Sequence, residues 1–137
     1  MISPASYSAS STYGGYTGLV GNGSAMHDEA YAGATSVHGT AAGDYTPWIQ
    51  MDFGSERSVG SGVVAPISTA YGNWGPSYLN GAVLQRSTDG ASWTTVTTVS
   101  GAADEVRTAI VVNATARFIR LTKSNRWLAV GDFYALQ

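Results

Sequence analysis

What most constrains this chain is its rhythm of short β-forming stretches. Such runs arrive at 48–53, 59–67, 79–87, 93–99, 107–112, 116–122 and 130–136, and no segment repeats apolar residues with the period of a long amphipathic helix. In Trp48–Gly54, the residues Ile49, Met51 and Phe53 fall on one side of an extended strand and Trp48, Gln50 and Asp52 on the other. Gly54 is expected to end that strand, and Ser55–Ser58 to turn the chain. With one more short strand around Tyr7, the spacing predicts an antiparallel all-β sandwich or barrel of about eight strands. Asp89-Gly90 should make a hairpin turn between two of them, and Asn113-Ala114-Thr115 another. The segment 26–47 reads as irregular loop with a short helical turn at Asp28–Ala32. Ile49, Met51, Phe53, Val83, Ile119 and Leu121 are the expected core.

At 137 residues the chain is expected to form a single domain, spanning residues 1–137, large enough to bury a core without staples. It has no cysteine, so neither disulfides nor thiol chemistry can operate. Seven basic residues against nine acidic ones leave a net charge of −2, and Arg117, Arg120, Lys123 and Arg126 are the only basic cluster. Phosphate backbones and anionic membranes are held by denser groups of Lys and Arg, so nucleic acid and membrane lipid are not expected partners. No apolar run reaches the length of a membrane span. Met1–Pro4 lacks the features of a secretion signal, as expected of an excised domain or of a chain exported by another route.

Catalytic signatures are missing too. There is no Gly-x-Ser-x-Gly elbow, no His-Glu-x-x-His and no phosphate-binding loop, and the two histidines, His27 and His38, lie in one polar loop. The expectation is a protein that is not an enzyme. Two stretches look suited to binding instead. Ala70–Tyr78 sets Tyr71, Trp74 and Tyr78 among Gly, Pro and Asn73, without strand alternation, and Ser124-Asn125-Arg126-Trp127 precedes the last strand.

Four motifs, in order, resemble the coagulation factor 5/8 type C (discoidin-like) domain. They are Trp48–Gly54, the hairpin Ser87-Thr88-Asp89-Gly90-Ala91-Ser92-Trp93, the strand Ala116-Arg117-Phe118-Ile119-Arg120-Leu121, and the closing Gly131-Asp132-Phe133-Tyr134. The resemblance implies an antiparallel jelly-roll β-sandwich of the galactose-binding-like kind. It also implies that the motif residues are structural, with Trp93 capping one end of the core and Asp52 a candidate partner for Arg117 and Arg120. The terminal cysteine pair of the blood-clotting members is missing, which leans the resemblance toward microbial carbohydrate-binding modules. A non-catalytic glycan-binding module is then expected, carried by or assembled with a larger secreted, cell-surface or viral attachment protein, and so extracellular or on a cell or virion surface. The alternative is a structural or oligomerising module whose aromatic loop contacts protein.

Function in such domains sits in loops at one end of the sandwich. Trp74 and Tyr71 offer ring faces for a sugar, and Asn73, Asn125, Arg126, His27 and His38 offer polar reach. Trp74 has two other readings, as satellite core beneath its own loop or as a protein contact. The resemblance further implies a structural Ca²⁺, with Asp28 and Asp132 near the family's ligand positions. Met26–Glu29 departs from that pattern in lacking its glycine and early tryptophan, and Asp132 stands where glutamate is usual.

Overall fold

In the computed structural model, which describes residues 1–72 and 74–137, two long bent strands carry most of the architecture. They are β3 (Trp48–Ala65) and β6 (Thr108–Thr122); around them lie β1 (Ser6–Ala9), β2 (His38–Gly39), β4 (Val83–Ser87), β5 (Thr94–Thr98), β7 (Ala129–Val130) and β8 (Asp132–Leu136). Each long strand joins two stretches that the sequence pattern separates. The first half of β3 pairs with β1 and with Phe118–Thr122 of β6, and the sheet runs on through β4 to β5. The second half, Ser61–Ala65, lies between the start of β6 and β8. All pairings are antiparallel, and the chain folds as the expected all-β sandwich.

Gly54 therefore marks a bulge rather than a strand end. The Asp52 carboxylate accepts the Gly54 amide at 2.7 Å, Gly54 takes φ of +80°, and the register with β6 shifts between Asp52 and Arg57. On β6, Asn113 has φ of +46° beside a second register shift, so the expected turn at 113–115 is a kink inside one strand. Both bends let a single strand serve two parts of the sandwich. The helical turn expected at Asp28–Ala32 lies upstream instead, as α1 (Val20–Gly23) and the 3₁₀ turn Ser24–His27. At 28–30 the Asp28 carboxylate caps the Ala30 amide and Glu29 is left-handed, a local bond that competes with helix.

The main core joins Ile49, Met51, Phe53, Leu84, Ile119, Leu121 and Phe133, with Met26 and Leu128 from the connections. Val83 is only half-buried. Its neighbour Leu84 points inward, so the alternation of β4 runs one residue out of the expected phase. The Ser87–Trp93 hairpin forms as read: Asp89 Oδ1 accepts the amides of Ala91 and Ser92, and Ser87 Oγ accepts that of Gly90. Arg117 grips Asp52 through two bonds of 2.9 and 3.0 Å. Arg120 instead bonds Gln85 and lies 3.8 Å over the Trp93 ring. Trp93 is thus half-buried under a guanidinium, outside the core it was expected to cap.

A second, smaller core of Val37, Ile67, Trp74 and Ala129 sits beside the short β2–β7 pair, with Tyr16, Tyr71, Tyr78 and Trp127 packed around it.

Candidate functional site

Rings from three loops converge on Trp74. The indole lies 5.3 Å from Tyr13, 5.0 Å from Tyr78 and 5.8 Å from Trp127, each close to edge-on, the geometry in which a ring's positive edge meets its neighbour's negative face. Its Nε1 donates to the Tyr16 hydroxyl at 3.0 Å, which satisfies the polar atom that burial would strand. Gly39 makes room below: a side-chain carbon there would stand 2.9 Å from the indole. Tyr13 is tied into the same strand pair by its amide, which donates to the Gly39 carbonyl at 2.7 Å. Lys123 Nζ reaches the carbonyls of Ser77 and Trp127, joining the 76–78 turn to the 124–127 loop.

Above Trp74 opens a cavity of about 100 Å³ lined by Tyr13, Gly72, Trp74, Tyr78 and Trp127. It is small beside pockets that enclose drug-sized ligands. Such a cleft suits one face of a small ring rather than a whole molecule. Tyr13 is 40% exposed, whereas Trp74 is 7% exposed and forms the floor. Trp127 holds φ of +73°, a conformation a bulky side chain adopts only where its surroundings impose it, and such strain gathers at functional sites. Arg126 borders the cavity: its guanidinium lies 5.9 Å from the Trp127 ring and 5.5 Å from that of Tyr45.

Of the residues expected to bind ligand, Trp74 and Tyr71 belong to this aromatic cluster and Arg126 stands at its edge. Asn125 is exposed in the same loop, and its Oδ1 accepts the Arg126 amide. Asn73 lies outside the described residues. His38 needs correction: it is 2% exposed and its Nε2 bonds the Ser11 carbonyl at 3.0 Å, so it cannot reach a ligand in the cavity. Burial pushes its imidazole down to about 4, against the opposing pull of that bond, and it stays neutral near pH 7. His27 is exposed but groups elsewhere, its ring against Tyr134 and its carbonyl accepting from Arg107. Trp74 itself lies in the second core, as its satellite-core reading had it, and also floors the cavity. Tyr13 and Tyr16 join the cluster without having been expected there, and Tyr78 comes with the aromatic loop 70–78. Tyr13-Gly-Gly-Tyr16 sets the two rings a tight turn apart, and nothing local to that segment signals that they reach Trp74.

The lining offers ring faces and phenolic hydroxyls, with no carboxylate or imidazole among its described residues, so it is equipped for stacking and hydrogen bonding rather than for general acid–base work.

The expected cation ligands behave differently. Asp132 is fully buried, and its Oδ2 accepts Arg107 Nε at 2.7 Å. Arg107 Nη1 donates to Glu29 at 2.6 Å and Nη2 to the His27 carbonyl at 2.8 Å. Asp28 Oδ1 is engaged with the Ala30 amide. Among the described residues Asp132 Oδ1 is the one buried side-chain oxygen left without a partner, so the carboxylates here offer calcium, which gathers six to eight oxygens, a single buried free side-chain ligand. No group of three or more His, Asp or Glu side chains among the described residues could hold a metal ion. These residues do not fit Ca²⁺.

Residues 6–131 match the F5/8 type C domain family, and the chain belongs to it. Among solved structures it is similar to the CBM32 of AlyQ in complex with 4,5-unsaturated mannuronic acid, at 18% identity and a TM-score of 0.67, over 98% of this chain and 95% of that one. The lectin domain of Lectinolysin, complexed with Lewis B antigen, gives 16% identity and 0.71 over 99% and 95%. A fucose-binding module of Streptococcus pneumoniae gives 13% and 0.72 over 99% and 96%. At such identities the likeness is one of fold. No curated protein matches the chain.

Proposed function

We propose that this domain is a non-catalytic glycan-binding module, and that the sugar docks in the cleft above Trp74. The observation that carries the reading is the cleft itself: aromatic walls from three loops meet at one end of a sandwich whose structural relatives are carbohydrate-binding modules and lectin domains. The apolar C–H face of a pyranose stacks on Tyr13 or Trp127, and its hydroxyls meet the phenols of Tyr13 and Tyr78 and the guanidinium of Arg126. Trp74 holds the walls in place from beneath. The module acts on or outside a cell or virion surface, tethered to a larger protein that supplies any chemistry.

A glycan array followed by calorimetry on the best hit tests this. Trp127→Ala and Tyr13→Ala are each expected to weaken binding at least tenfold, with the melting temperature close to the parent's. Binding that survives both substitutions moves the site away from this cleft; an array with no hits, together with a homogeneous oligomer in solution, supports protein contact instead.

A further inference from the structure

We infer that the Arg107 guanidinium does the work of a bound cation in this domain, making its fold independent of calcium. Three segments meet at this side chain: Arg107 immediately precedes β6, Asp132 opens β8, and His27–Glu29 runs out of the end of the 3₁₀ turn. Their oxygens converge as they would on a metal ion. One carboxylate oxygen of Asp132, one of Glu29 and the His27 carbonyl all accept from the same guanidinium, at 2.7, 2.6 and 2.8 Å. The planar fork has five N–H donors aimed in fixed directions, so it can bind three separate acceptors at once, as a lysine ammonium could not with the same geometry.

Charge and burial support the assignment. A carboxylate that is fully buried needs a positive partner, and Arg107 supplies it. The guanidinium also lies 5.2 Å from the Tyr134 ring, which packs against His27 on its other contacts. A calcium ion at this point would have to displace Arg107 from all three oxygens. Asp28 and Glu29, the remaining acidic side chains here, are exposed and already bonded to the Ala30 amide and to Arg107.

The test is thermal and involves no sugar, so it stands or falls apart from the glycan reading. The parent domain is melted after exhaustive chelation and again with excess calcium, and Arg107→Ala, Arg107→Met, Asp132→Asn and the Arg107→Met/Asp132→Asn pair are melted alongside. The parent is expected to melt at the same temperature with and without calcium. Arg107→Ala should lower that temperature by roughly 10 °C, the shift that leaving a buried carboxylate unpaired implies for a domain of this size. The double variant should lose much less than the sum of the single losses, because removing both partners leaves no buried charge. A parent whose melting temperature falls on chelation overturns the inference. So does an Arg107→Ala variant that melts with the parent, or strictly additive losses in the pair. Should Arg107→Ala not fold, the chelation result and the Met/Asn pair still decide.

Discussion

The His38 imidazole is 2% exposed, and its ring nitrogen is bound to the Ser11 carbonyl, so a proton can be added only against its burial. Its folded pKa is depressed from 6.5 to about 4, and the unfolded chain therefore takes up the proton first as pH falls. The stability that His38 contributes is complete above 6.5 and is lost as pH falls toward 4, roughly 3 kcal/mol across the window. Denaturant unfolding at intervals through that range should show the slope, and His38→Gln should flatten it. An equally steep variant would trace the acid loss to another group. Trp74 and Trp127 divide the aromatic site in a similar way. Trp74→Ala removes the buried floor and is expected to lower stability by about 3–5 kcal/mol, visible as a shifted denaturant midpoint. Trp127→Ala removes a wall and is expected to weaken sugar binding while moving that midpoint little.

At the level of elements, the alternation of Ile49, Met51 and Phe53, and of Ile119 and Leu121, named the inward face of both long strands, and all five are buried. Period-two patterning reports which side of a strand is apolar, so this part of the fold was open to a reader of the sequence. It says nothing of whether a glycine ends a strand or bends it. Gly54 bends it, because Ser61–Ala65 finds two partners, β6 and β8, and continued pairing outweighs the local turn signal. Val83 was misplaced because Ala82, Val83 and Leu84 are all apolar and allow either phase. The aromatic cluster was harder still. Tyr16 and Trp74 stand 58 residues apart, and no local pattern encodes that they meet. The glycine bend makes its own prediction. At φ of +80°, with Ala5 Cβ 3.3 Å from where a side chain would start, Gly54→Ala should cost about 1–2 kcal/mol and leave sugar binding unchanged. A neutral effect on the unfolding midpoint would mean the bend does not require the left-handed conformation.

Across the whole molecule, charge and cleft size together set how the domain should bind. The net charge is −2, and the cations found near the cleft among the described residues are Arg126 and Lys123, the latter bonded to the Ser77 and Trp127 carbonyls, so little of the affinity can come from long-range attraction. A cavity of about 100 Å³ with its aromatic floor already buried offers one or two stacking faces to a single ring. Such a site should hold a monosaccharide weakly, with Kd near ~1 mM, about −4 kcal/mol. Because few ions are displaced, Kd should change less than about threefold between low salt and 0.5 M salt, in contrast to the steep dependence of a basic polyanion site. Useful retention on a glycan surface then has to come from several sites acting together, which joining copies through a flexible linker would supply. Two linked copies should therefore stay on an immobilised glycan far longer than one copy, while their affinity for free monosaccharide in solution is unchanged. Surface plasmon resonance with one and two copies measures both quantities. If a single copy already binds the free sugar at micromolar Kd, or if salt abolishes the binding, the shallow neutral cleft is not what holds the ligand.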